Sequence, residues 1–371
     1  MSTMDPTRDS LSSEEPKYLR IANVLRREIA DNVYRDGDTL PTEENIRHRF
    51  GVSRQTVRQA MALLDDDGLV ERRQGSGTFV RHGARRRSGV VTVGVITTYI
   101  TDYIFPSIVR GIESQLSEAG CIMNLSATYN MVSRERMILE RMEQQVVDGL
   151  IVEGTKTALP NPNLPFYRSL LERNIPVVFI NSSYQQLSRK VEVVMDDYQG
   201  GRLGAESLIN QGHRALYGVF KRDDVQGMER YRGFMDRVTE SGMSVPDSHV
   251  LWYDTETRDQ LFKAGESALF LRQVMDSQGA VLCYNDSIAM LLCDMIRTQG
   301  GKVPRDVSVM GFDDCAYAPL FHPRLTTLSH PKEEFGRLAA VKLLEMVNGK
   351  PAASSILDWT LVQRNSVAEK R

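Results

Sequence analysis

Between residues 17 and 80 the apolar positions fall at helical spacing three times and then alternate. Tyr18, Ile21, Leu25 and Ile29 predict an amphipathic first helix. Ile46 and Phe50 share one face of a second, short helix that Thr42 caps and Gly51 ends, with Glu43 and Glu44 in the first turn, where the helix dipole favours negative charge. Ser53 caps a third helix. Its Val57, Ala60, Met61 and Leu64 form a buried stripe that Gly68 stops. Residues 70–73 and 78–80 then read as two short strands around Gly75, Ser76 and Gly77, a turn whose glycines permit positive φ and close backbone approach. The whole reads as helix, turn, helix and β-wing behind a first packing helix.

From residue 90 the pattern changes. The short apolar runs VVTVGVIT, CIMNLSAT, GLIVEG and VVFIN alternate with helix-compatible segments at 107–119, 134–147 and 164–173. The alternation resumes after residue 190 with VEVVMD, LYGVF, VLWYD, AVLCYND and VSVMGFD. Such βαβ order predicts parallel sheets covered by helices on both faces, and two series in succession predict two α/β lobes with a cleft between them. A cleft of that kind closes around a small polar ligand. The predicted class is therefore α/β, with a winged helix-turn-helix domain at 17–80 and a two-lobed domain at 90–371. Residues 1–16 are polar and predicted to be disordered, and 81–89, RHGARRRSG, has the composition of a flexible linker.

Composition narrows the field. At 41% hydrophobic and 25% charged, the chain is ordinary for a soluble globular protein of two or three compact units. Residues 17–87 hold 15 Lys and Arg against 10 Asp and Glu, a net of +5, which leaves −7 for the rest of a chain whose total is −2. Affinity for nucleic acid belongs to the head. The first residues have no apolar core of the kind a signal peptide needs, and no later run approaches the ~20 apolar residues of a membrane span, so a cytoplasmic protein is expected. Cys121, Cys283, Cys293 and Cys315 show no close pairing and each sits in or beside an apolar stretch, which predicts buried free thiols. The six histidines form no ligand motif. Gly75-Ser76-Gly77 lacks the third glycine and the strand-then-helix setting of a dinucleotide site, and no nucleophile elbow or P-loop is present. Neither an enzyme nor a cofactor is expected.

The first turns of the third helix carry Arg54, Gln55, Thr56 and Arg58 off the buried stripe, the chemistry that reaches base edges and phosphates. Two arginines four apart are by themselves an ordinary solvated face; the cap, turn and wing shift the odds. PTEENIRHRFGVSRQTVRQAMALLDDDGLVERRQGSGTF resembles the winged helix-turn-helix of GntR-type bacterial regulators over about 65 residues. The resemblance implies recognition-helix contacts at Ser53, Arg54, Thr56 and Arg58 and a minor-groove wing at Gln74, Gly75, Ser76 and Gly77. Thr42 and Gln55 complete the candidate set. Many members of that family carry a contacting residue where this chain has Glu44, so a contact there is in doubt.

A second resemblance covers residue 90 onward. YNDSIAMLLCDMIRTQGGKVPRDVSVMGFDDCAYAPLFHPRLTTLSHPKEEFGRLAAVKLLEMVNG is similar to lac-repressor-type effector domains, whose fold is that of type I periplasmic binding proteins. In that fold the chain crosses between lobes three times, here expected near 183–192, 329 and 350. The GntR head on this effector domain resembles the arabinose-operon repressors of Gram-positive bacteria, as do GVITTYITDYIFPSIVRGIESQLSEAG, DGLIVEGTKTAL and FKRDDVQGMERYRGF.

Sugars are held by planar side chains that pair with vicinal hydroxyls and by aromatic faces, supplied by loops at the carboxyl ends of strands. By position the candidates are Tyr99, Asp102, Tyr103 and Phe105 after the first strand, Glu153 and Lys156 after the third, and Asn181 after the fourth. The other lobe offers Arg230, Tyr284, Asn285, Asp286 and Asp313. Arg230 is a surface helix arginine or, by its match to R-x-x-G-F, a cleft group; the second is favoured. Asp313 is a ligand or a turn cap, and Asp286 reads first as a helix N-cap. Burying Glu153 requires partners, either a ligand or Lys156. Trp252 and Tyr253 read as core. Together these features predict a homodimeric repressor on a palindromic operator, released by a small sugar, L-arabinose by resemblance. A regulator of the same architecture with another sugar or acting as an activator is the near alternative. A solute-binding transport component shares the two-lobed fold, and the head argues against it.

Overall fold

A computed structural model describes residues 16–30, 33–35, 37–66, 68–73, 76–80, 90–144, 147–188, 190–262 and 265–370. They belong to two compact units, Met1–Val90 and Val91–Arg371. The expected disordered start, apart from Pro16, and the expected linker at 81–89 lie outside the described residues.

The first unit comprises α1 (Lys17–Ala30), α2 (Glu43–Phe50), α3 (Arg54–Asp66), β1 (Val70–Arg73) and β2 (Gly77–Val80). Ile21, Leu25 and Ile29 of α1 meet Ile46 and the Val57, Ala60, Met61 and Leu64 stripe of α3 in one core that Val70 and Val80 close. Gly51, at φ 62°, ends α2 in the left-handed region. The strands pair antiparallel with Arg73 opposite Gly77, so the second begins one residue before the predicted 78.

In the second unit β3 (Thr92–Thr97), β4 (Ile122–Ala127), β5 (Gly149–Val152), β6 (Val177–Ile180), β7 (Val191–Met195) and β13 (Ser355–Leu357) form one parallel sheet in the order β13-β7-β6-β5-β3-β4. The other sheet runs β14-β12-β11-β10-β8-β9, from β8 (Leu216–Lys221), β9 (Val250–Tyr253), β10 (Ala280–Cys283), β11 (Ser308–Asp313), β12 (Thr326–Ser329) and β14 (Thr360–Val362). Only β14 is antiparallel to its neighbour. The helices α4 (Phe105–Glu118), α5 (Val132–Gln144), α6 (Leu164–Glu172) and α11 (Lys332–Val347) cover the first sheet, and α7 (Asp197–Asn210), α8 (Val225–Glu240), α9 (Gly265–Asp276) and α10 (Asp286–Thr298) the second.

Two of the three lobe crossings differ from expectation. The run VEVVM pairs with β6 and with β13, which holds it in the first lobe, so the first crossing falls at Asp196 rather than within 183–192. Likewise α11 and β13 keep the chain in the first lobe to Leu357, moving the third crossing from 350 to 358–359. The second follows β12 as predicted, at 330–331.

Glycine sets the distance between α7 and α8. A Cβ on Gly201 would lie 2.1 Å from Arg230 O and one on Gly233 1.9 Å from Tyr198 O, so the two helix backbones touch. That contact seats Arg230 of α8 against Asp197 of α7. Cys283, Cys293 and Cys315 are buried free thiols as predicted, whereas Cys121 is half-buried. No helix among the described residues is long and apolar enough to cross a membrane.

Candidate nucleic-acid interface and ligand cavity

In the head, Thr42 Oγ1 accepts from Asn45 N at 3.2 Å and so caps α2. Ser53 Oγ accepts from Thr56 N at 3.2 Å and lies 2.8 Å from Thr56 Oγ1, fixing the start of α3. Beyond that cap Arg54 and Arg58 are 73% and 72% exposed, and Gln55 is exposed beside them, so the first turns of α3 present two guanidinium groups and an amide to solvent. Carboxylates of α2 hold the arginines loosely: Arg54 lies 3.4 Å from Glu44 and Arg58 3.4 Å from Glu43. Exposed pairs of this kind are worth ~0–1 kcal/mol, little enough to exchange for phosphate. Glu44 also binds Arg47 at 2.5 Å, and these guanidinium groups lower its pKa against the opposing desolvation. In this arrangement Glu44 orients arginines. Ser76 and Gly77 are exposed at the wing, Gly77 with φ 110°, while Gln74 and Gly75 lie outside the described residues.

In the second unit a cavity of about 550 Å³ lies between the lobes, walled by residues that follow the strands of both sheets. Tyr99, Asp102, Tyr103, Phe105, Glu153, Asn181, Arg230, Tyr284, Asn285 and Asp313 all line it. Backbone strain concentrates around it: Tyr103, Asn130, Asn181 and Asp313, all lining residues, have positive φ, a conformation that persists only where surrounding contacts over-determine it.

Glu153 is 6% exposed and accepts three hydrogen bonds. Thr98 donates to its Oε2 through the backbone N at 2.7 Å and through Oγ1 at 2.6 Å, and Asn181 Nδ2 donates to Oε1 at 2.8 Å. Burial raises its pKa against those bonds. Lys156 takes no part. Its ammonium pairs instead with Glu256 of the other lobe, and it is not in the cavity wall. The expectation that Lys156 satisfies Glu153 is thereby corrected, because Thr98 and Asn181 already supply three donors.

Arg230 is 1% exposed. Its Nε donates to Asp197 Oδ1 at 2.8 Å and one terminal nitrogen donates to Tyr284 O at 2.5 Å, while the other lies 3.9 Å from Asp313 Oδ1. The guanidinium stacks over Phe312 at 4.3 Å and over Tyr284 and Trp359 at 4.9 Å. Burial opposes its charge, and the Asp197 and Asp313 carboxylates outweigh burial and raise its pKa. Burial pushes Asp197 up to about 6 despite that partner, and raises Asp313 as well. His330, 4.0 Å from Asp313, is pushed down to about 3 by burial and stays neutral.

Asp286 is neither in the wall nor a cap. Asn285 caps α10, its Oδ1 accepting from Ile288 N at 3.0 Å. Asp286 points beneath the cavity, where Thr327 Oγ1 donates to it at 2.6 Å and Cys315 N at 2.8 Å. The space exists because β11 has Gly311 there: a Cβ would lie 2.2 Å from Asp286 Oδ1. Burial pushes Asp286 up to about 8.

Sequence reasoning passed over Thr98, Lys221, Asp224, Tyr253 and Arg258, which also line the cavity. Lys221 Nζ donates to Asp224 Oδ2 at 2.5 Å, and Tyr284 Oη donates to the same oxygen at 3.2 Å. The signal was available: Lys221 and Asp224 close and follow β8 as Glu153 follows β5, but Lys-Arg-Asp-Asp reads as a solvated loop. Trp252 packs on Tyr231 and Phe220 as core, whereas Tyr253 faces the cavity.

Comparison with known proteins gives these two units a place. Residues 17–80 match the model of bacterial regulatory proteins of the gntR family, and 205–367 that of the periplasmic binding protein-like domain. The arabinose metabolism transcriptional repressor of Geobacillus stearothermophilus is 41% identical over 95% of this chain and 98% of its own length. The chain belongs to this repressor family. The arabinose metabolism transcriptional repressor of Halalkalibacterium halodurans is 34% identical over 96% of this chain and 98% of its own. Among solved structures, the lac repressor dimer bound to operator and the anti-inducer ONPF matches with a TM-score of 0.63 at 21% identity, over 76% of this chain and 96% of that one, a likeness of fold. Family membership makes the chain a transcriptional repressor with a winged helix-turn-helix head, and the cavity lies in the effector unit that the family places behind that head.

Proposed function

We propose that this repressor binds L-arabinose in the interlobe cavity and leaves its operator when it does. The observation that carries the proposal is the wall itself. Carboxylates and amides stand in hydrogen-bonded positions at strand ends, with a guanidinium from α8 and the rings of Tyr99, Phe105 and Tyr284 in the same wall. This is what a ring of vicinal hydroxyls with an apolar underside needs. The names of the two relatives support arabinose over other sugars.

In this reading Glu153, Asn181, Asp313 and Arg230 accept and donate to hydroxyls, with Asp102, Tyr103 and Asn285 at the same cavity. Thr42, Ser53, Arg54, Gln55, Thr56 and Arg58 contact the duplex, and Gln74, Gly75, Ser76 and Gly77 form the wing that enters the minor groove. The repressor acts in the cytoplasm as a homodimer whose two heads meet half-sites related by a two-fold axis. It has no enzymatic activity. Sugar-bound and operator-bound forms differ in free energy, so each ligand weakens the other by the same factor.

Calorimetric titration with a panel of pentoses and hexoses, with and without operator DNA, tests the proposal. L-arabinose is expected to bind, and to bind more weakly in the presence of operator. Equal affinity with and without operator, or preference for another sugar, overturns it.

A further inference from the structure

The two lobes are joined by hydrogen bonds that the cavity itself does not explain. We propose that these bonds form a clasp, centred on Asn130 and Asp223, which sets how tightly the closed lobes retain their sugar; this rests on the cavity being the effector site. Thr255 Oγ1 donates to Asp223 Oδ2 at 2.6 Å and accepts from Asn130 Nδ2, of the other lobe, at 2.6 Å. Thr255 N donates to the same Asp223 oxygen at 3.1 Å. Two further bonds cross beside them: Val225 N donates to Thr157 Oγ1 at 3.1 Å and Ala158 N to Asp223 O at 3.3 Å. The Lys156–Glu256 ion pair crosses nearby. Asn130 and Asp223 are each 1% exposed, so water does not replace a bond lost between them.

The clasp stands toward the side of both sheets away from the crossings. Its groups follow β4, β5, β8 and β9, whereas the strands that flank the crossings, β7 and β13 in one lobe and β12 and β14 in the other, occupy the opposite edge of each sheet. Two lobes hinged along one edge and fastened along the other are closed by the fastening. Of the fastening groups, Asp223, Thr157, Lys156 and Glu256 do not line the cavity, although Thr157 Oγ1 also lies 3.0 Å from the Oγ of Ser182, which does.

A buried carboxylate holds the first-lobe half of the clasp in place. Glu135 of α5 is wholly buried and accepts from Asn161 Nδ2 at 2.8 Å, Asn163 Nδ2 at 2.7 Å, Tyr167 Oη at 2.7 Å and Tyr184 Oη at 2.5 Å. Tyr184 Oη in turn accepts from Thr155 N at 2.8 Å, and Asn130 Oδ1 accepts from Lys156 N at 2.9 Å. The loop at 155–158, with Lys156 at φ 46°, is thus fastened from beneath before it meets the other lobe. Glu135 is a positioning residue for the clasp.

The test uses the full chain and L-arabinose. Thr157→Val keeps the shape of the side chain and deletes the acceptor for Val225 N together with the hydroxyl that lies 3.0 Å from Ser182 Oγ in its own lobe. Its affinity for arabinose is expected to fall at least ~3- to 10-fold, the effect of the lost interlobe hydrogen bond, and the scattering and release rate separate that loss from the bond to Ser182. The loss appears as faster release, with association and sugar-free operator affinity unchanged, and small-angle scattering of the sugar-free chain shows wider lobes. Lys156→Met, Glu256→Gln and the double variant form a cycle. The clasp predicts that the double variant binds arabinose no more weakly than either single one; a further loss in the double variant means that Lys156 touches sugar, and overturns its place here. Wild-type affinity, release rate and scattering in Thr157→Val overturn the clasp. Should wild type bind no arabinose, the sugar assignment fails, and the scattering comparison decides the clasp by itself. If Thr157→Val does not fold, the cycle at the Lys156–Glu256 pair decides.

Discussion

Tyr103 Oη of the first lobe donates to Asp313 Oδ2 of the second across 2.7 Å and accepts from Asp286 N at 3.0 Å. A single phenol thus satisfies a carboxylate and the backbone at the start of α10, and burial, with Asp313 and Asp286 beside it, holds its pKa well above that of a free tyrosine. Tyr103→Phe removes both bonds with little change of shape. The expected loss is ~1–3 kcal/mol of stability in the effector unit, the cost of leaving buried polar groups unpaired, together with weaker sugar binding. Urea denaturation and calorimetry measure the two, and wild-type values in both would show that the bridge does not form in solution.

Arg230 is ion-paired on one side and stacked on the other, so its removal has two consequences. Arg230→Ala leaves Asp197 and Asp313 as buried carboxylates without their cation, which costs ~3–5 kcal/mol. Arg230→Lys separates stability from response: the charge stays, but an ammonium cannot reach Asp197 and Tyr284 O as a planar fork does. The lysine variant is expected to fold, to bind operator and to stay bound in the presence of arabinose. Normal release in an operator-binding assay would remove Arg230 from the response.

The Asp286 carboxyl gives the effector unit a pH dependence. Its folded pKa, raised to about 8, exceeds the 3.8 of an unperturbed carboxyl, with burial the largest cause. Between those values the unfolded chain holds fewer protons than the folded one, so this group's contribution to stability falls as pH rises and is constant above about 8. Asp286→Asn removes that slope. The variant is expected to gain on wild type by on the order of 1 kcal/mol per pH unit from pH 5 to 8, as urea denaturation at several pH values reads directly. A constant difference across that range rules out titration of Asp286.

Why some of this was legible in the chain and some was not has a physical basis. Helical and alternate spacing located the head because Val57, Ala60, Met61 and Leu64 had to face one core, and the caps at Thr42 and Ser53 are local hydrogen bonds within three residues. The rule that ligands meet the carboxyl ends of strands found Glu153, Asn181 and Asp313. It does not say who satisfies whom: Glu153 is met by Thr98, which follows the neighbouring strand β3, rather than by Lys156 three residues away. Asn285 takes the cap expected of Asp286 because a one-residue shift at a helix start decides which side chain caps and which is buried, and Gly311 of β11 leaves the space in which Asp286 is buried. Crossing points shifted for the same reason, since β7 and β13 are held by pairing with each other.

The head carries the last prediction. Arg58 is 72% exposed, and Glu43, the carboxylate 3.4 Å from it, is shared with Arg72 at 3.8 Å, so the guanidinium can leave that pair for DNA. Arg58→Ala is expected to weaken operator binding without altering arabinose affinity, because the residue has no packing role in the core of the first unit. The form of the loss identifies the contact. If Arg58 reads a base, affinity falls by ~1–3 kcal/mol on the operator and specificity relaxes at one position, whereas a phosphate contact weakens all sequences alike and reduces the salt slope by about 1. Measuring operator and random-sequence affinity at several salt concentrations separates these cases, and unchanged operator affinity would take Arg58 out of the interface.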